Sequence, residues 1–322
     1  MFKNPIKLNP IFNIPSYSNG LYNEICVFKS IYNKTLLICK TQNKKGLIFF
    51  DLVLFNILKT IDNLHKDGIL CIKHYLKNNT DIIITSSWDN SIKIIDINNR
   101  FKIIKIIKNI GDKDYNGDYS IYNFILLNDY LITNNYDDEY LKIFNYNSCK
   151  YIKNIYNQLS GVGYIDLYYD ENTNKNYIIT CNRDYFNSYV RSYKFEDDCL
   201  YNIYTNKIAY NIIINIIEGK VNIIFSFFDK ILFYDFHNGE CLDIIEFNEC
   251  KFNTILLYNE KYFILGGKKE IYIVNINEKK IIEKLNCHNN DIFNLYKIKI
   301  DNYEYLFTQG IGNEKIIIWK NN

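Results

Sequence analysis

Short apolar runs alternate with polar clusters along the whole chain, a pattern that predicts successive β-strands separated by turns. Seven of these runs end on an aromatic or β-branched residue, usually followed by an acidic or amide one: Phe50-Asp51, Ile95-Asp96, Phe144-Asn145, Tyr193-Lys194, Tyr234-Asp235, Val274-Asn275 and Trp319-Lys320. They recur at roughly 40 to 49 residues, the period of a four-stranded propeller blade.

In the clearest unit, Gly68 to His74, Asp81 to Ser86, Ser91 to Ile97 and Phe101 to Lys108 read as strands a to d, divided by Lys77-Asn78-Asn79, Trp88-Asp89-Asn90 and Asn98-Asn99. Further units run at about Leu21 to Leu64, Asp118 to Asn157, Gly163 to Thr205, Lys207 to Phe247 and Cys250 to Cys287. The last begins at His288 and stops after its third strand, Lys315 to Trp319. Ile6 to Ile14 can supply the missing strand, and Pro10 and Pro15 suit an outer edge that needs no second set of N–H donors. The expectation is an all-β, seven-bladed β-propeller in one domain, residues 1–322, its ring closed by an N-terminal strand within residues 1–20 that completes the last blade.

Bulk properties narrow the partner. The formal net charge is only +2, so no whole-molecule field draws the chain to nucleic acid or an anionic membrane. Arg100, Arg183 and Arg191 are the only arginines, and the wealth of Asn, Ile, Tyr, Phe and Lys reads as the codon bias of an AT-rich genome. The 9 cysteines are scattered without C-x-x-C spacing, as buried thiols of a reducing compartment would be. No apolar h-region opens the chain, and apolar stretches such as Leu52 to Phe55 fall short of the ~20 residues of a membrane span. The expected location is cytoplasmic or nuclear.

The stretch His65 to Ile97 resembles a WD40 repeat, and His288 to Trp319 resembles a degenerate one. In that family a His before strand a, a Ser or Thr on strand b, an Asp in the b-to-c turn and a Trp on strand c form a buried hydrogen-bonded tetrad. The resemblance implies such roles for His65, Thr85 and Asp89, with Ile95 in the Trp place. In the last unit it implies them for His288, Thr308 or Gln309, Asn313 and Trp319.

Catalytic patterns are missing. His65, His74, His237 and His288 form no H-x-x-E-H spacing, and neither G-x-S-x-G nor a P-loop occurs. Asp112, Asp114 and Asp118 lie in an acidic loop that lacks the closing Glu of a calcium site. No enzyme activity, cofactor or metal is expected. The paired arginines of phosphoinositide-binding relatives are absent, as is the Arg that follows the anchor in ubiquitin-ligase receptors, where Val53 and Asn98 stand.

The family resemblance implies that b-to-c loops emerge at the mouth of the central channel. Trp88 is the foremost candidate there, joined by Tyr136, Asp137, Arg183, Tyr185 and Phe186. The expected function is a non-catalytic scaffold, monomeric within a hetero-complex, that holds other proteins or peptides and neither membrane nor nucleic acid. The alternative is a reader that grips a basic, Lys- or Arg-containing tail at the channel mouth.

Overall fold

A computed structural model describes residues 6–17, 24–108, 121–135, 140–156, 162–170, 174–182, 188–194, 199–205, 211–217, 220–248 and 250–321. Every regular element among them is a strand. In chain order these are β1 (Leu8–Pro15), β2 (Ile25–Lys29), β3 (Thr35–Lys40), β4 (Leu47–Asp51), β5 (Asn56–Ile61), β6 (Ile69–Lys77), β7 (Thr80–Ser87), β8 (Ser91–Asp96) and β9 (Lys102–Lys108). There follow β10 (Ile121–Leu127), β11 (Tyr130–Asn135), β12 (Tyr140–Asn145), β13 (Tyr151–Tyr156), β14 (Val162–Asp170), β15 (Lys175–Asn182), β16 (Ser188–Lys194) and β17 (Cys199–Thr205). The remainder are β18 (Asn211–Ile217), β19 (Lys220–Ser226), β20 (Lys230–Asp235), β21 (Cys241–Glu246), β22 (Phe252–Asn259), β23 (Tyr262–Asn275), β24 (Lys280–Ile300), β25 (Tyr303–Gly310) and β26 (Lys315–Asn321).

These strands build a propeller-like, all-β arrangement with five four-stranded blades, β2–β5, β6–β9, β10–β13, β14–β17 and β18–β21. The expected count of seven separate blades is not what the sheets display. β22 to β26 and β1 make one six-stranded sheet in the order β1-β26-β25-β24-β23-β22. The physical reason is strand continuity. β23 pairs with β22 through its first half and with β24 through its second, while β24 turns from β23 to β25 around His288 without losing extended conformation. The N-terminal β1 pairs antiparallel with β26, from Leu8 opposite Asn321 to Pro15 opposite Lys315, with a register shift between Pro10 and Phe12.

Burial explains why these segments are strands. β3 is buried at every position, as a strand covered on both faces should be, whereas the outer strands β9 and β21 are largely exposed. Apolar layers lie between sheets. Ile125, Ile132, Leu141 and Ile143 pack on Ile165 and Ile178, and Ile25, Leu37 and Phe50 pack on Phe307, Ile316 and Ile318.

The recurring anchor pair has a local cause. In five units the polar member caps the hairpin that follows it through its own side-chain oxygen, an Asx turn. Asp51 Oδ1 accepts from Val53 N and Leu54 N at 2.9 and 3.0 Å, Asp96 Oδ1 from Asn99 N at 3.0 Å and Asn145 Oδ1 from Ser148 N at 2.8 Å. Asp235 Oδ1 accepts from His237 N at 2.8 Å and Asn275 Oδ1 from Asn277 N at 3.1 Å. Each turn then closes on a residue of positive φ: Phe55, Arg100, Cys149, Gly239 and Lys279. The residue after each anchor pair, Leu52, Ile97, Tyr146, Phe236 or Ile276, is buried and donates its N–H to a carbonyl at the start of the neighbouring strand or just before it, at 2.7 to 3.1 Å.

The chain divides into two compact units, one of Met1–Ile83, Asp96–Phe101 and Lys251–Asn322, the other of Ile84–Ile95 and Lys102–Cys250.

Candidate functional site

β24, β25 and β26 bring one polar set together in the first unit. Trp319 Nε1 donates to Thr308 Oγ1 at 3.0 Å, the same hydroxyl lies 2.9 Å from His288 Nε2, and His288 Nδ1 lies 3.0 Å from Glu314 Oε2. A carboxylate only accepts, so Nδ1 carries the ring proton, and Nε2 takes the Thr308 hydroxyl hydrogen. The hydrogen bonds therefore run in one direction, from Trp319 through Thr308 and His288 to Glu314. Burial holds the His288 pKa below its ordinary value, with Glu314 drawing it back up.

Of the two candidates for the hydroxyl's place, Thr308 fills it. The carboxylate comes from Glu314, while its neighbour Asn313 is exposed. Counting back from Trp319 leads to Asn313; the Glu one residue later was the signal available, since only it carries a carboxyl group. Thr133 and Thr180 hold the register of Thr308 on their own strands and, like Thr85, are buried.

His65 is buried and donates its backbone N–H to Lys45 O at 2.9 Å. In the other unit Asp89 accepts from Ser91 Oγ at 2.5 Å through its carboxylate and donates its N–H to Ser87 Oγ at 3.0 Å. Trp88 is 39% exposed. Tyr136, Asp137, Arg183, Tyr185 and Phe186, the residues grouped with it from sequence, lie outside the described residues, as does the acidic loop of Asp112, Asp114 and Asp118.

A second buried polar network occupies the first unit. Glu24 and Lys40, both fully buried, form an ion pair. Lys40 Nζ also donates to Ile69 O at 3.2 Å, and Asn294 Nδ2 reaches Glu24 Oε2 and Gln309 Oε1, each at 3.4 Å. Gln309 Nε2 donates to Ser16 Oγ at 2.8 Å. Burial pulls the Lys40 pKa down, opposed by the Glu24 carboxylate. His74, which looks isolated in sequence, bonds Asp81 Oδ1 through Nε2 at 2.8 Å and stacks on Phe28 with ring centroids 3.7 Å apart. These sets bind the fold.

The exposed chemistry lies at one end of the first sheet. Leu54, 65% exposed, and Val53 form the tip of the β4–β5 turn, and Tyr32, 67% exposed, with Ile31 forms the tip of the β2–β3 turn. The two tips share one end of the sheet, two strand spacings or about 10 Å apart. Leu52 N to Thr35 O, at 2.9 Å, ties them. Phe12 of β1 borders them, its ring 5.4 Å from Phe55 and 5.6 Å from Phe50.

The tip is built like its counterparts but differs in chemistry. Where Val53-Leu54 stand, the other capped turns carry Asn98-Asn99, Asn147-Ser148, His237-Asn238 and Asn277-Glu278. Phe55 takes a φ of 51°, the place Gly239 fills in another unit, although a bulky residue is costly there. The contrast was legible in sequence only after the turns were aligned on their anchors.

No protein-family model matches this chain, and no curated protein matches it. Among the described residues no helix is long and apolar enough to cross a membrane.

Proposed function

We propose that this protein is a non-catalytic β-propeller scaffold that holds other proteins in an intracellular assembly, cytoplasmic or nuclear. The observation that carries the reading is the apolar end of the first sheet. Val53, Leu54, Ile31 and Tyr32 stand in water on turns that their counterparts make with polar residues. Large side chains on pre-fixed turns give a partner apolar area with little ordering cost, which is how binding surfaces acquire affinity.

The family proposed is a divergent WD40 propeller of seven blades closed by β1. In support, the six-stranded sheet carries two of the seven anchor pairs, Val274-Asn275 and Trp319-Lys320, and strands enough for two blades: β22, both halves of β23 and the start of β24, then the end of β24 with β25, β26 and β1. The Trp319–Thr308–His288–Glu314 set has the residue types of the family's tetrad, with Glu in place of Asp.

A second reading, a reader of basic peptides at the channel mouth, is favoured by the exposure of Trp88 on the β7–β8 turn.

Affinity purification from the native cell, followed by mass spectrometry, separates the two. The intact protein is compared with Trp88→Ala and with a Val53→Ser/Leu54→Ser variant. A stoichiometric set of proteins kept by Trp88→Ala and lost by the double variant supports the scaffold. Loss confined to Trp88→Ala supports the peptide reader. Co-purification of no protein in stoichiometric amount with the intact chain refutes both.

A further inference from the structure

The apolar end of the first sheet also has a charge signature. Between Ile6 and Ile61 the only carboxylates are Glu24 and Asp51. Both are buried and engaged, Glu24 by Lys40 and Asp51 by the backbone of its own turn. The exposed charges of the same stretch are lysines, Lys7, Lys29, Lys34 and Lys59. Lys29 and Lys34 flank the Ile31-Tyr32 tip directly, and Lys59 lies on β5, which leaves the Val53-Leu54 tip. A surface that is apolar at its centre and cationic at its rim selects its partner by both properties.

We propose that this surface docks an amphipathic protein segment whose apolar side chains are flanked by Asp or Glu. The inference rests on the scaffold reading and names the chemistry of its partner. A second copy of the chain is the weaker occupant, because a self-complementary contact through this patch would set lysine against lysine. A flat lipid surface is also disfavoured. The apolar residues do not end at the tips but continue to Phe12 on β1 and Ile57 on β5, along the sides of two edge strands.

The turns are fixed before any partner arrives. Lys34 N donates to Ser30 Oγ at 3.2 Å and Ile31 N to Asp81 Oδ2 at 3.0 Å, while Asp51 caps the other tip. Docking therefore orders little of this chain, and the contribution of each tip residue should appear mainly in the dissociation rate.

The test is selection of a displayed random-peptide library against the full-length protein, with counter-selection against Val53→Ser/Leu54→Ser. Recovered peptides are then titrated against both proteins and against Lys29→Glu/Lys34→Glu/Lys59→Glu. The expected result is enrichment of sequences that combine Leu, Ile, Phe or Trp with Asp or Glu. Their affinity should fall about tenfold or more in the serine variant, fall again with added salt, and fall similarly in the charge-reversed one. Both variants alter exposed residues, and an unchanged thermal midpoint confirms that they fold.

Enrichment of neutral or basic peptides, or none specific to the intact tips, overturns the proposal. So does sedimentation with phosphatidylcholine–phosphatidylserine vesicles that the serine variant loses, which would assign the patch to a lipid surface. Concentration-dependent dimerisation abolished by the serine variant would assign it to a second copy. If the purification of the intact protein yields partners that the serine variant retains, the scaffold stands and only this docking surface fails.

Discussion

His288 and Trp319 meet on a single hydroxyl, that of Thr308, which accepts from the indole at 3.0 Å and lies 2.9 Å from the imidazole. All three residues are buried, so each hydrogen bond is made where water cannot replace it.

Thr308→Val keeps the shape and removes the oxygen, leaving Trp319 Nε1 and His288 Nε2 unpaired. Each stranded group costs about 1–3 kcal/mol, so urea denaturation should show a loss of roughly 2–6 kcal/mol. Thr308→Ser, which restores the hydroxyl, should recover most of it. Trp319 is the buried one of two tryptophans, and Trp88→Phe leaves its fluorescence as the sole reporter.

Acid should weaken the fold through two histidines. Burial depresses both His74 and His288 from the ordinary value of 6.5, so the unfolded chain binds more protons than the folded one in the acidic range. Their contribution is fully present above pH 6.5, the unfolded value, and is lost as pH falls from there through the folded values. His288→Gln should flatten part of the decline in the denaturation midpoint measured across this range. An unaltered slope in that variant would contradict a neutral, buried His288.

Lys40→Met takes the ammonium partner from the fully buried Glu24 carboxylate, which keeps its contact with Asn294 Nδ2. Removal of one partner from a buried pair costs about 3–5 kcal/mol. Glu24→Gln/Lys40→Met, which removes both charges, should be markedly more stable than Lys40→Met alone by chemical denaturation. Equal stability of the two variants would mean that Glu24 is not held as an ion in the parent.

Asp235→Ala removes the oxygen that holds His237 N and Asn238 N at 2.8 and 3.2 Å. The expected loss is about 0.5–1.5 kcal/mol, the net worth of a hydrogen bond at an exposed turn. Asp235→Asn should cost less, because Asn145 and Asn275 make the same cap in their own units. Thermal denaturation of both variants decides whether the polar half of the anchor acts as a cap.

Phe55→Asn replaces a bulky residue at a φ of 51° with one that tolerates the left-handed region. It also removes the ring beside Phe12, 5.4 Å away. Stability should therefore stay within about 1 kcal/mol of the parent, while binding at the apolar tips weakens. A variant that binds its partners as well as the parent would show that Phe55 is strained for no reason of recognition.

What the sequence determined by itself was the period. Apolar runs, turn clusters and the pairs from Phe50-Asp51 to Trp319-Lys320 specify strands and hairpins locally, because an Asx cap and a buried residue beside it require only a few consecutive residues. The pairing of β1 with β26 was legible for a related reason: a unit ended one strand short, and an apolar segment with edge-compatible prolines stood at the other end.

Tertiary structure decided what depends on residues far apart in the chain. It merged β22 to β26 and β1 into one sheet, since continuity through Lys268 and His288 is a matter of backbone direction that polar residues there do not reveal. It chose Glu314 over Asn313 for His288, and it paired Glu24 with Lys40, groups whose solitary appearance in sequence gives no sign of burial. It also gathered Phe12, Ile31-Tyr32 and Val53-Leu54 at one end of a sheet. Each run is unremarkable alone, and only the antiparallel register, which returns alternate turns to the same end, makes them a surface.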